Sequence, residues 1–281
     1  MEKGQVNSKK KTPVILIILL IIVVLLVGAI AGLTYLDKQA VGSLLSMPLA
    51  EPLNDTTSAE FSVDLADGNL NLEGNSSDKA MLAMGTLQYL ENIGVPLSSS
   101  STFNGHTQYT LSTSAGQSWL KLPWSACNGA TDWSITLNPS VAYEISAYTG
   151  GGNVKLNLAG LTVTGLDAES GGGNMEVILP DNTEDLAAVV KTGAGKATVR
   201  VGNGIKGDHT IEASSGAGEV SVLLPTGMQA KVIISMGNVS VGPEFIKVND
   251  TTYETSGYQN AENRIEISIG SGAGKATVIM N

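Results

Sequence analysis

The chain has 281 residues, a formal net charge of −10, 42% hydrophobic residues, one cysteine and two histidines. A single Cys127 excludes an intrachain disulfide framework. The acidic balance argues against a nucleic-acid partner, which needs a basic footprint. It permits attraction to cations or cationic peptides, and its plain reading is a soluble surface outside the cell.

Residues 1–12 form a basic tail carrying Lys3, Lys9, Lys10 and Lys11. Residues 13–36, Pro13 to Leu36, are 24 residues without a charge. A helix of that length reaches about 36 Å, enough to cross a hydrocarbon core of roughly 30 Å. The positive-inside rule keeps the lysines in the cytoplasm and exports the rest of the chain. The rival reading is a cleaved signal peptide with Ala29-Ile30-Ala31 at the cleavage site, but its apolar region would be unusually long. The sequence therefore predicts a single-pass transmembrane helix with the N-terminus cytoplasmic and the C-terminal part extracytoplasmic at the cell membrane.

Residues 37–58, with Pro48, Pro52 and a polar end, read as a linker. Residues 59–281 read as one extracytoplasmic domain, with irregular capping layers over 59–148 and regular repeats over 149–281. In the irregular part, Phe61-Val63-Leu65 and Leu70-Leu72 flank Asp67-Gly68-Asn69 like a degenerate layer. Met81–Leu90 has a helical composition, yet Gly85, Thr86 and Tyr89 favour a strand. Ser98–Thr102 reads as a loop. Leu111–Leu122 and Trp133-Ile135-Leu137 read as strands.

From residue 149 a glycine phrase recurs: Thr149-Gly150-Gly151-Gly152-Asn153-Val154, Ser170-Gly171-Gly172-Gly173-Asn174-Met175, Thr192-Gly193-Ala194-Gly195-Lys196-Ala197 and Ser215-Gly216-Ala217-Gly218-Glu219-Val220. A worn copy, Ile234-Ser235-Met236-Gly237-Asn238-Val239, precedes the last, Ser271-Gly272-Ala273-Gly274-Lys275-Ala276. The first intervals are 21, 22 and 23 residues. Alternating apolar residues lie on both sides of each phrase, as in Leu166-Ala168 before and Met175-Val177-Leu179 after. Period two marks half-buried strands, and a fixed period in this range marks stacked layers. The expected fold is all-β, a single-stranded β-helix or β-solenoid. Each layer is a strand, a Ser/Thr-Gly-x-Gly corner and a second strand. The glycines supply positive φ or the absence of a Cβ at the corner, and the hydroxyl bonds nearby backbone. Residues 242–262 interrupt the series as an extra irregular layer or a protruding loop, a common place for binding.

No catalytic, cofactor-binding or metal-binding residues are assigned. Gly193–Lys196 resembles a phosphate loop, but it lacks the full Gly-x4-Gly-Lys-Ser/Thr spacing and a following helix. His106 and His209 have no neighbours at metal-ligand spacing. Asp167, Glu169, Glu176, Asp181, Glu184, Asp185, Asp208, Glu212 and Glu219 are the carboxylates that sugar acid/base chemistry could use, at spacing typical of a solvated face. Trp119, Trp124 and Trp133, with Tyr109, Tyr143 and Tyr148, either fill one end of the core or present rings to a sugar or a membrane. Cys127 reads as a small buried hydrophobe.

The basic tail, the apolar helix and the layers Trp133–Leu161, Ser170–Pro180 and Ser215–Pro225 together resemble the bacterial toastrack-type domains. These include the LiaF-like, cell-wall-active-antibiotic-response proteins. The resemblance covers roughly residues 60–281 and transfers no catalytic residues. It implies a non-enzymatic, adhesin-like envelope protein tied to stress sensing or signalling. LiaF-like members often have several membrane helices, whereas this chain has one such run. Two other classes stay open: a carbohydrate-active β-helix enzyme using outward carboxylates, and a scaffold stacked end to end.

Overall fold

The structure is a computed structural model and describes residues 12–74, 78–91, 94–114, 131–181 and 183–281. One helix, α1 (Thr12–Val41), precedes the strands. The irregular part holds β1 (Leu44–Pro52), β2 (Ser58–Leu65), β3 (Asn69–Glu73), β4 (Met81–Leu90), β5 (Pro96–Phe103), β6 (His106–Thr113) and β7 (Asp132–Leu137). The regular part holds β8 (Ala142–Thr149), β9 (Val154–Asn157), β10 (Thr162–Ser170), β11 (Met175–Ile178), β12 (Ala187–Ala194), β13 (Ala197–Arg200), β14 (Asp208–Ala217) and β15 (Val220–Leu224). Then come β16 (Gln229–Val241), β17 (Phe245–Lys247), β18 (Thr252–Thr255), a 3-10 turn at Tyr258–Asn260, and β19 (Arg264–Met280). Among the described residues all nineteen strands join one sheet.

Two parallel ladders run through that sheet. The strands before the corners pair in the order β6, β2, β8, β10, β12, β14, β19, β16. The strands after the corners pair in the order β7, β3, β9, β11, β13, β15, β19, β16. The register is in step, so apolar residues stack on apolar residues. Phe61 pairs with Ile145, Ile145 with Leu166, Leu166 with Ala188, and Ala188 with Ile211. All of them are buried. The core lies between the inner faces of the ladders, closed on the third side by Leu158, Leu161, Leu179, Leu186 and Ile205.

The corners explain the glycine phrase. Gly152, Gly173, Gly195, Gly218 and Gly274 all have positive φ, from +99° to +155°. A Cβ on any of them would collide with the carbonyl of the glycine one tier below, Gly68 under Gly152 and then each in turn. A second glycine column, Gly150, Gly171, Gly193, Gly216 and Gly272, meets backbone carbonyls in the same way. The leading hydroxyls are buried and bonded as expected: Thr149 Oγ1 donates to the Gly151 carbonyl at 2.7 Å, Ser170 Oγ to Gly172 at 2.8 Å and Ser271 Oγ to Gly218 at 2.7 Å. Asn153 and Asn174 add an amide ladder that the repeat pattern had not suggested. Each side-chain oxygen accepts the backbone N–H one tier on, from Asn174 and Lys196, at 3.1 Å.

Several expectations need correction. The tiers do not follow chain order. β2 and β3 lie inside β6 and β7, and β19 lies between β14–β15 and β16. The final strand is therefore not an open end, because Ala276 pairs with Val220 on one side and Val239 on the other. The worn copy is outermost instead. Its corner keeps only Gly237, whose Cβ would strike the Ser271 carbonyl. Residues 44–52, expected within the linker, form β1, an edge strand paired antiparallel with β4, where Pro48 and Pro52 are tolerated. Ser98–Thr102, expected as a loop, lies in β5, antiparallel to β6. Met81–Leu90 is a strand as read, pairing β1 and β7.

The run expected to span a membrane lies within α1. Its side chains at 12–18, 21, 34 and 36–41 are outside the described residues, as are residues 1–11 of the basic tail. Among the described residues, no helix is long and apolar enough to cross a membrane.

Candidate functional site

Of the nine carboxylates singled out by sequence, four pair with cations. Glu212 accepts Lys191 Nζ at 3.0 Å, Glu176 lies 3.7 Å from Arg200 and Glu219 3.7 Å from Lys196. Asp208 takes a two-point bond from Arg264, 2.8 Å from Nε and 3.1 Å from Nη2. The hydrogen bond it donates to Glu212 holds the Lys191 ammonium above its usual range, helped by the charges of Glu212, Glu169 and Asp167. Glu184 bridges to Lys206 through the backbone, and Asp185 takes a positive φ to accept the Asp208 N–H at 2.9 Å. Asp181 is exposed. Asp167 and Glu169 sit on the outer face of β10, in register with Ser146 and Tyr148 of β8 and Val189 and Lys191 of β12. A shallow depression of about 230 Å³ lies beside them, lined by Ala187, Val189, Thr210, Glu212, Glu266 and Ser268.

Both histidines are hydrogen-bonded within the fold. His209 is buried. Its Nδ1 accepts the Leu186 N–H at 3.1 Å and its Nε2 lies 2.7 Å from the Lys206 carbonyl, so Nε2 carries the proton. Burial pushes its pKa down, against the opposing pull of that carbonyl and of Asp185 and Asp208. His106 is exposed, with Nδ1 3.0 Å from Ser58 Oγ. Among the described residues no group of three His, Cys, Asp or Glu is placed to hold a metal ion.

The aromatics divide. Trp133 is fully buried and donates Nε1–H to the Gln88 carbonyl at 3.2 Å. Tyr109 is buried and stacked on Phe61 at 5.1 Å, and burial pushes its phenol up to about 12. Tyr143 donates to the Asn138 carbonyl at 3.0 Å, and burial raises its pKa too. These rings fill one end of the core, while Tyr148 stays half exposed on the outer face. Trp119, Trp124 and Cys127 lie outside the described residues.

Sequence reasoning missed a cleft of about 440 Å³, built where the chain skips a tier. Asn203 and Ile205, the turn Pro225–Gln229, and Ala261–Asn263 surround it. The segment 242–262 contributes its last two residues. In the rest of that segment β18 lies antiparallel on Lys231–Ile233 of β16, and β17 lies antiparallel on β18. Gln229 is fixed beneath by Thr255 Oγ1 at 2.8 Å and the Gly257 N–H at 3.1 Å. Lys231 binds Glu266 at 3.0 Å, which raises the lysine pKa, and Arg264 lies 5.8 Å over the Tyr258 ring. The only sequence signal for this arrangement is the 37-residue gap between the phrases starting at Ile234 and Ser271.

A proposed cell adhesion protein from Clostridium sporogenes ATCC 15579 superimposes with a TM-score of 0.62 at 21% identity, over 85% of this chain and all of the other. That likeness shows the fold. A proposed adhesin from Bacteroides fragilis NCTC 9343 aligns with a TM-score of 0.36 at 11% identity, over 84% of this chain and 97% of the other. No curated protein matches the chain. The family model for the N-terminal domain of toast_rack, DUF2154, matches residues 40–200, more than half of the sequence, and the chain belongs to the toast-rack family.

Proposed function

We propose that the chain is a membrane-anchored, non-enzymatic module of the bacterial envelope. In this reading the two ladders form a β-solenoid, held outside the cytoplasmic membrane by the N-terminal apolar helix. The module holds another protein or a cell-wall component on an outer face or at the segment 242–262. The observation that carries the reading is polarity along the stack. Two residues separate β1 from α1, and β1 lies at one end, whereas the cleft and the segment 242–262 lie toward the other. Eight tiers spaced at about 4.8 Å place the end tiers roughly 34 Å apart, so the binding end stands away from the membrane. The uncharged run Pro13–Leu36 and the lysines before it support the anchor and its orientation. The adhesion named for the Clostridium sporogenes relative and the stress signalling implied by the LiaF-like resemblance both need a rigid, exported binding surface.

Protease added to intact spheroplasts tests the topology, with cleavage expected within 242–262. Protection there until lysis overturns it. Cross-linking from native membranes beside a glycan array tests the binding role, with capture of one envelope component expected. Polysaccharide turnover that disappears in Asp167→Asn with Glu169→Gln would instead establish the enzyme.

A further inference from the structure

The four ends of the two ladders are finished differently. At one end of the stack, β5 lies antiparallel on β6 and β4 antiparallel on β7. At the other, β18 lies antiparallel on Lys231–Ile233 of β16, backed by β17. The remaining half of β16, Asn238–Val241, pairs with β19 along one edge, and among the described residues no strand covers the other edge. An open edge is a template for another strand, and proteins usually guard it with Lys, Pro, a bulge or an inward charge. Here Val232–Pro243 carries no charge at all, in a chain of net charge −10. The two register shifts of β16 fall on either side of Met236 and end at Asn238. Asn238 and Ser240 are exposed, while Val239 and Val241 are half-buried against the end of the core.

We infer that this edge pairs antiparallel with the same edge of a second copy, about a two-fold axis. The backbone edge requires an extended strand as partner. The lack of charge favours a like copy, because acidic copies repel one another elsewhere on their surfaces. The alternation Asn238-Val239-Ser240-Val241 is self-complementary, setting valines against valines on the core side. The opposite end finishes in edge strands of its own, β5 and β1, so closure rests on symmetry: both copies use the same edge, the contact is isologous and it closes at two. With four residues paired per copy, the interface falls below about 1,000 Å² and the pair is weak and reversible. Many copies on facing surfaces would strengthen it by multivalency. That last step rests on the anchored reading, because pairing at the end away from β1 holds the two helices apart. The pairing itself does not.

The test uses the full chain, one copy per lipid nanodisc, with mass photometry and sedimentation across concentration. Discs should pair. Ser240→Lys alone and Ser240→Glu alone should each weaken pairing at least about tenfold, and an equal mixture of the two should restore it. The control Ser100→Lys on β5 should pair like the parent. Unchanged melting of both Ser240 variants would show that the fold is intact. Absence of pairing on the order of 100 μM overturns the inference, as does pairing indifferent to Ser240 charge or strings of three or more discs. Failure to enter discs counts against the anchor alone, and the same variants are then compared in detergent solution.

Discussion

Adding one methyl group to Gly195 should do more damage than removing any charged side chain on the outer faces. Its φ is +123°, and a Cβ there would lie 2.7 Å from the Gly173 carbonyl carbon and closer still to the oxygen. Ordinary contact needs about 3.4 Å or more, so the tiers must part locally. The bonds flanking this point are Gly173 N–H to Ala194 at 2.9 Å and Lys196 N–H to Asn174 Oδ1 at 3.1 Å. Losing both costs about 2 kcal/mol. Forcing a side chain into a positive-φ backbone adds about 1–2 kcal/mol. Gly195→Ala should therefore lose about 3–4 kcal/mol, or roughly 10 °C in Tm for a domain of this size. Gly172→Ala is the internal control. It has nothing within 4 Å of a Cβ, and Ala194, Ala217 and Ala273 already occupy the equivalent place. It should stay within about 0.5 kcal/mol of the parent. Thermal melts followed by circular dichroism measure both. Equal shifts for the two alanines, or an unshifted Gly195→Ala, would refute the stacked-carbonyl explanation of the corners.

Three further outcomes follow from the packing. Trp133→Ala, at a fully buried ring, should cost about 3–5 kcal/mol by denaturant titration. Lys196→Ala, which removes an exposed pair at 3.7 Å, should change stability by less than about 1 kcal/mol in the same titration. His209 titrates below its ordinary value near 6.5 because it is buried, so the unfolded chain takes up its proton first. Its contribution is fully present above that value and is lost as pH falls through the lower folded value. Melting should weaken from pH 7 toward pH 5, and His209→Gln should flatten that slope.

The corners and the ladders were legible because their causes are local. A glycine column is visible wherever a carbonyl must pass beneath a Cα, and alternation is visible wherever one face of a strand is buried. The degenerate tier around Gly68 could be read for the same reason, and its Gly68 carbonyl does lie under Gly152. β5 gave no such signal. It lies past the last filled level of the core, and Ser98, Ser99, Ser100, Ser101 and Thr102 are all exposed. β1 was hidden by its prolines, which an edge strand accepts. The cleft left only the 37-residue gap between the phrases at Ile234 and Ser271 as a signal, because three segments remote in sequence meet through the skipped tier.

Tier order is the deeper case. Each parallel tier offers its neighbour the same register and the same carbonyls, so the pattern of one repeat does not say which repeat it stacks on. The pairings break the degeneracy: β19 sets Gly272 against Gly216 on one side and the Ser271 carbonyl beneath Gly237 on the other, and so lies inside β16. One glycine is missing from the corner both at the inner tier, Ala66-Asp67-Gly68, and at the outermost one, Ser235-Met236-Gly237, so the glycine count of a repeat does not fix its place in the stack.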